Sequence, residues 1–161
     1  MTITDYQEEL FDRNPCVEGI EAFKKCLCRK DFFELVGQPV ACGYFLKSIQ
    51  DGWGPSPQDF ESLFRPYING SHTISFKVGN RKMRSQVWCN SGDISIDDSV
   101  RWLILIGCRG IVKITNWQVV KIFVDRNSRV DIDCDKNSLV YVENYGGKVS
   151  DVHGNCKFME V

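Results

Sequence analysis

Residues 119–161 decide the fold and read VVKIFVDRNSRVDIDCDKNSLVYVENYGGKVSDVHGNCKFMEV. Valines return at Val120, Val130, Val140 and Val149, and Phe158 continues the series, so an apolar residue recurs every nine or ten positions. Between these positions lie Asn-Ser, Gly-Gly and Gly-Asn pairs, which form tight turns or left-handed backbone at little cost. The pattern predicts strands and turns in regular alternation.

This period fits two architectures. A β-solenoid with two strands per coil would use roughly 20 residues per coil. It would stack Val120 on Val140 and Phe158, and Val130 on Val149. An antiparallel meander or small barrel has strands and turns of similar length. We favour the solenoid, because asparagines at equivalent corners suit left-handed backbone and the turns lack the Asn-Gly form of hairpins.

One irregularity is expected within the repeat. Val149 and Val152 differ in parity, so the alternation slips by one residue after Gly146-Gly147. A corner or β-bulge there would absorb the extra residue.

The chain ahead of the repeat predicts an α+β protein. Residues 1–68 form a helical segment, and residues 69–161 form the β part, with strand repeats from about residue 111. Helix starts are expected at a Thr4–Gln7 capping box, at Asn14-Pro15, at Asp31 and at Ser56-Pro57. From Thr73 the apolar period becomes two and predicts a hairpin over residues 74–89. The helices would pack on the β part and cap its open end.

Composition indicates an ordinary folded domain. The chain has 161 residues, of which 43% are apolar and 25% charged, as in average globular proteins. Its first ten residues lack the basic start and apolar run of a signal peptide, and no segment reaches the ~18 uncharged apolar residues of a membrane span, so we expect no export. Its eight cysteines are spread along the chain, which favours buried or half-buried reduced thiols in a cytoplasmic protein.

The net charge of −1 conceals a basic middle. Residues 77–121 hold eight basic and three acidic residues, a net of +5. Four of the basic residues lie on the predicted hairpin and form the candidate binding site together with Trp88: Lys77, Arg81, Lys82 and Arg84. Arg101, Arg109 and Lys113 are expected nearby. Cations beside an aromatic ring can bind phosphates or an acidic protein surface, although a solvated hairpin tip has the same composition.

Trp53 is a second candidate binding residue. It lies in the loop Asp51–Pro57, which is rich in glycine and proline. A tryptophan in such a loop either covers the core or forms an exposed anchor at an interface.

Catalytic and metal sites have weaker signals. Asp151 and His153 share a predicted strand face, with Cys156 or Ser150 as a nearby nucleophile, but no known nucleophile motif accompanies them. Cys26 and Cys28 are separated by one residue, whereas zinc sites usually place two to four residues between paired cysteines. Alternating aspartates from 131 to 135 resemble a glycosidase pair and equally a solvated strand face. Nucleotide-binding glycine motifs are absent, and we expect no metal and no cofactor.

Two motifs add a family resemblance. The helix start Cys16–Gly19 and the Asn-x-x-Val repeats that end in Tyr145–Val149 resemble small uncharacterised proteins of bacteria and their phages. The resemblance covers residues 14–19 and roughly 100–158. It implies a short β-solenoid tail, and it brings no activity and no site residues.

Together these observations predict a non-enzymatic binding or assembly module encoded by a phage or mobile element. It would present the basic hairpin to a protein partner. A small hydrolase using Asp151, His153 and Cys156, and nucleic-acid binding through residues 77–88, are the alternatives.

Overall fold

The computed structural model describes the backbone of residues 1–161 and all side chains except those of residues 40, 151 and 152. Five helices come first: α1 Ile3–Asp12, α2 Val17–Lys24, α3 Arg29–Val36, α4 Pro39–Gln50 and α5 Pro57–Phe64. Ten strands follow: β1 Ile74–Val78, β2 Arg81–Trp88, β3 Ile94–Ser95, β4 Trp102–Leu105, β5 Arg109–Ile114, β6 Val119–Val124, β7 Arg129–Cys134, β8 Leu139–Asn144, β9 Lys148–His153 and β10 Cys156–Glu160.

The strands form two sheets that wind as a β-solenoid of about four coils. Sheet A has the order β1-β2-β4-β6-β8-β10, and sheet B the order β3-β5-β7-β9. All neighbours are parallel except β1 and β2, which form an antiparallel hairpin. The predicted α+β fold with a solenoid is confirmed. The alternative meander is excluded, because its consecutive strands would pair antiparallel.

The register confirms most of the predicted stacking. Val120 pairs with Val140, and Val130 pairs with Val149. The prediction for Phe158 is wrong, since Cys156 lies opposite Val140. The last coil has fewer residues than the coil before it, so the spacing of the valines does not predict which residue of β10 stacks on Val140. The register slip lies between β7 and β9 at residues 151–153, beyond the turn at residues 146–147 where it was expected.

A left-handed asparagine occurs at the corner between β5 and β6, where Asn116 has a φ of +65°, but the two corners that follow differ from the prediction. Neither Asn127 nor Asn137 has a positive φ. Asp125 instead begins a four-residue turn that Ser128 ends: its Oδ1 accepts hydrogen bonds from the Ser128 hydroxyl at 2.6 Å and from the Gly107 amide at 2.9 Å. The Ser128 hydroxyl in turn accepts from the Cys108 amide at 3.0 Å. Side chains thus join consecutive coils at the corner.

Two separate apolar cores stabilise the protein. Alternate strand residues such as Leu103, Val112 and Ile132 fill the solenoid interior. The five helices bury a second core, rich in phenylalanine, against the outer face of sheet A at Val87 and Phe123. The helices therefore cover the side of the solenoid, in contrast to the predicted end cap. Burial of apolar surface on both faces explains the continuous apolar run in β4.

Helix starts follow the sequence signals only in part. Ser56 caps α5 as predicted, with its hydroxyl accepting from the Asp59 amide at 3.1 Å. Thr2, rather than Thr4, caps α1. Asp31 lies inside α3 and accepts from the Cys28 amide at 3.2 Å, and Asn14 is left-handed instead of an N-cap.

Candidate binding surface at the basic hairpin

The predicted basic residues meet on the β1–β2 hairpin. Residues 79 and 80 connect the two strands, and Gly79 supplies the positive φ of the turn. The antiparallel register places Lys77 directly opposite Lys82 and Val78 opposite Arg81. All four side chains are exposed. Like charges at directly opposed positions repel each other, so this arrangement destabilises the isolated hairpin.

Among the side chains that the structure describes, none forms an ion pair with Lys77, Arg81, Lys82 or Arg84. Arg84 donates to the Ser99 hydroxyl at 3.1 Å. Hydrogen bonds from Ser99 lower the pKa of Asp97, and nearby Arg84 adds a smaller effect in the same direction. The hairpin therefore keeps most of its positive charge available to a partner.

Two open grooves join at this hairpin. The first has a volume of about 550 Å³, and the second, on the outer face of sheet A, about 600 Å³. Lys82, Met83 and Arg101 line both. Arg101 is thus close to the hairpin, as expected from the sequence.

The second groove has an apolar floor that the helices leave uncovered. Val119 is 51% exposed and Tyr141 41% exposed, and Met83 and Trp102 are half-buried. Lys121 crosses this floor, with its Nζ 5.5 Å from the Trp102 ring centre and paired with Glu143. We call the complete patch the hairpin surface, comprising Lys77, Arg81, Lys82, Met83, Arg84, Arg101, Trp102, Val119 and Tyr141.

The two predicted tryptophans lie elsewhere. Trp88 is half-buried and packs against the solenoid interior, and its indole N–H donates to Gln86 Oε1 at 3.4 Å. Trp53 packs on the helical core, stacked on Tyr6 with ring centres 5.4 Å apart and with the Arg13 guanidinium 4.7 Å from its ring. Neither lines the two grooves. Arg109 and Lys113 belong to sheet B.

Sequence reasoning placed Tyr141 on the outer face but did not assign Trp102, Val119 or Tyr141 to the binding surface. The available signal was parity, because Val119 and Tyr141 alternate with the interior residues Val120 and Val140. Only the coil register shows that Tyr141, Lys121 and Trp102 occupy one row across three strands.

Two residues of the alternative catalytic site lie on different sheets, His153 on β9 of sheet B and Cys156 on β10 of sheet A. His153 is exposed and lies 3.4 Å from Asp133, measured from Nδ1 to Oδ1. Cys156 is on sheet A and packs against the solenoid interior. The Asp151 side chain lies outside the described residues. Within the described part of the chain, no three His, Cys, Asp or Glu side chains are grouped as a metal site would require.

Thiol labelling checks this arrangement. At neutral pH we expect Cys16 and Cys28 to react first with a disulfide reagent, because both are exposed. Burial raises the pKa of Cys89 to about 12 and that of Cys108 to about 11, so these thiols should react only as the protein opens. Mass spectrometry of partially labelled protein gives the order. Labelling of Cys156 before Cys16 would instead indicate an activated nucleophile on β10.

No helix in the described residues is both long and apolar enough to cross a membrane. No family model, curated protein or solved structure matches this chain.

Proposed function

We propose that this protein is a non-enzymatic binding module that docks an acidic protein partner on the hairpin surface. One observation supports the proposal most: unpaired cations border an exposed apolar groove on a rigid sheet. Each component alone is common on protein surfaces. Their combination matches the anatomy of an interface, which has an apolar centre with aromatic residues, Met and Arg and a polar rim.

The charge arrangement favours an acidic partner. A carboxylate between Lys77 and Lys82 would relieve the repulsion between these opposed side chains. Because the groups are exposed, they would act chiefly on the rate and selectivity of association. The apolar floor at Val119 and Tyr141 would supply the buried contact area.

The rings of this surface favour protein over single-stranded nucleic acid. Base stacking requires aromatic faces that are open to the bases. The ring of Trp102 is half-buried with Lys121 above it, and Lys157 Nζ lies 5.6 Å from the ring centre of Tyr141. Aliphatic contacts from Val119 and Met83 suit an apolar side chain better than a base.

Fluorescence anisotropy with three labelled probes of equal length tests the proposal. The probes are a peptide alternating Glu with Leu, a polyglutamate peptide and a single-stranded oligothymidylate. We expect the Glu/Leu peptide to bind most tightly at low ionic strength. Arg81→Glu with Lys82→Glu should weaken it by at least about tenfold, since attraction becomes repulsion. Val119→Ser with Tyr141→Ser should remove its advantage over polyglutamate.

Matched controls lie on the helical side of the molecule. Arg65→Glu with Lys30→Glu changes the net charge equally, and Leu27→Ser removes an apolar side chain that is 90% exposed. These variants should bind like the wild type. Equal loss in control and test variants would contradict the proposal, as would failure of the Glu/Leu peptide to bind. Tighter binding of the oligothymidylate, lost in the Arg81/Lys82 variant, would replace the protein partner by nucleic acid.

A further inference from the structure

A second basic cleft lies at the corner of the solenoid where the strands of sheet B begin. Arg109, Arg129 and Lys148 are the first residues of β5, β7 and β9. The parallel register pairs Arg109 with Arg129 and Arg129 with Lys148. Adjacent strands are about 4.8 Å apart, so three cations form one column on consecutive coils. Arg126 adds a fourth cation at the same corner.

Within the described part of the chain, no carboxylate is ion-paired with Arg109, Arg126, Arg129 or Lys148. Arg126 donates to the Gln50 carbonyl at 2.8 Å, which holds its side chain without neutralising it. Like charges directly opposed on neighbouring strands are destabilising, and here they recur on three strands. A bound anion would remove this repulsion.

The column borders a cleft of about 450 Å³ between the corner and the start of α5. Its lining is almost entirely polar: Gln58, Ser91, Arg109, Arg126, Asn127 and Arg129. A neighbouring cleft of about 360 Å³ shares Pro57, Gln58, Ser91 and Gly107 with it, so the two are continuous. The size suits a small organic molecule.

The neighbouring cleft contains an unsatisfied acceptor. Asn90 lines it, and Asn90 Oδ1 is buried without a hydrogen-bond partner. Buried polar atoms are almost always paired, so an unpaired acceptor in a cleft wall points to a donor that arrives with a ligand. The main chain ties this position to the cations, because the Arg109 amide donates to the Asn90 carbonyl at 3.1 Å.

The walls of the cleft are rigid. The Asp125 carboxylate fixes the Gly107 amide at 2.9 Å. A Cβ at Gly107 would lie 2.6 Å from Pro57 Cβ, so α5 begins in close contact with the corner. The main chain of this corner is therefore fixed before a ligand binds, which lowers the entropic cost of binding.

We propose that this cleft binds a small phosphorylated molecule that also carries an amino or hydroxyl donor. Guanidinium groups of Arg109 and Arg129 present paired N–H donors that match phosphate oxygens. The side-chain oxygen Oδ1 of Asn90 accepts a hydrogen bond from the amino or hydroxyl group of the ligand. The site shares no residue with the hairpin surface and is independent of the protein-binding function proposed above.

Isothermal titration with four probes tests this site: inorganic phosphate, glucose 6-phosphate, adenosine monophosphate and unphosphorylated glucose. We expect at least one organic phosphate to bind more tightly than inorganic phosphate, and glucose not to bind. Arg109→Gln with Arg129→Gln should weaken the organic phosphate by at least about tenfold. Asn90→Ala should reduce the organic phosphate to the affinity of inorganic phosphate. Arg81→Gln with Lys82→Gln, on the hairpin surface, should leave binding unchanged.

A stability measurement separates binding from folding. Arg109→Gln removes the repulsion with Arg129, so the free variant should melt at a temperature equal to or above that of the wild type at low salt. Absence of binding by all three phosphates would overturn the proposal, as would equal affinities in the Arg109/Arg129 and Arg81/Lys82 variants. A single-stranded oligothymidylate that binds more tightly than adenosine monophosphate through Arg109 and Arg129 would also overturn it, in favour of a polymeric phosphate.

Discussion

Replacing Asp125 with alanine is expected to lower the free energy of unfolding by about 3 kcal/mol. The side chain is fully buried, and its two oxygens accept from the Gly107 amide, the Ser128 hydroxyl and the Asn127 side-chain amide. Alanine leaves the buried Ser128 hydroxyl and the Gly107 amide without this acceptor. Loss of a partner for each buried donor costs about 1–3 kcal/mol. Urea unfolding followed by circular dichroism measures the change.

The opposite corner, between β7 and β8, contains a matched control. Asp135 begins the equivalent turn, and it accepts from the Asn116 amide at 2.9 Å and from the Asn137 amide at 3.0 Å. The hydrogen bond from Ser138 and these amides lower the pKa of Asp135, although this residue is only half-buried, whereas Asp125 is fully buried. Water can replace its contacts, so Asp135→Ala should destabilise the protein less than Asp125→Ala. Equal losses would contradict burial as the cause.

Gly110→Ala is expected to lower the free energy of unfolding by about 4 kcal/mol. Gly110 has a φ of +143°, and a Cβ there would lie 2.1 Å from the carbonyl oxygen of Gly92. The alanine therefore introduces backbone strain and a clash between neighbouring corners. The clash cannot be relieved by a side-chain rotation, because the contacted atom belongs to the main chain.

Gly92→Ala separates these two contributions. Its φ is +120°, and no atom lies within 4 Å of the added Cβ. It should therefore report strain alone, at a cost of about 2 kcal/mol. Chemical denaturation of both variants measures the difference. If Gly110→Ala is no worse than Gly92→Ala, the corners move apart easily and the close approach has no energetic consequence.

The sequence predicted most of the architecture because the relevant signals are local. Alternating valines identify strands, and paired turn residues separate them at constant spacing. Ser56-Pro57 marks a helix start that the structure confirms. The N-caps expected at Thr4, Asn14 and Asp31 lie two or three residues away, at Thr2, Cys16 and Cys28, since several neighbouring residues can occupy the start of a helix.

The corner motif was present in the sequence but misinterpreted. The repeated segments DRNS at 125–128 and DKNS at 135–138 suggested left-handed asparagines. The Asp and Ser side chains of these turns instead join the coils, because they accept hydrogen bonds from main-chain amides about 20 positions earlier in the chain. A local propensity cannot indicate a hydrogen bond between coils.

Predictions for the binding surface divide in the same way. The hairpin brings Lys77, Arg81, Lys82 and Arg84 together because they are neighbours in sequence. Trp88 lies on the strand face opposite Ser85 and Val87, as the alternation predicts. That face is not exposed at Trp88, because the side chain packs towards the solenoid interior. Which face of a strand is covered depends on the elements that pack on it, and the hairpin sequence contains no information about them.

The sequence by itself therefore determined an all-helical start, a series of short strands at constant spacing and a basic hairpin, and it favoured a solenoid over a meander. Only the tertiary structure decided which distant residues meet. Arg109, Arg129 and Lys148 form one column because coil length sets the register between strands. Coil length changes at the last turn, where Cys156 takes the place expected for Phe158. Parallel stacking places residues of successive coils a few ångströms apart, so small differences in loop length decide the chemistry of the surface.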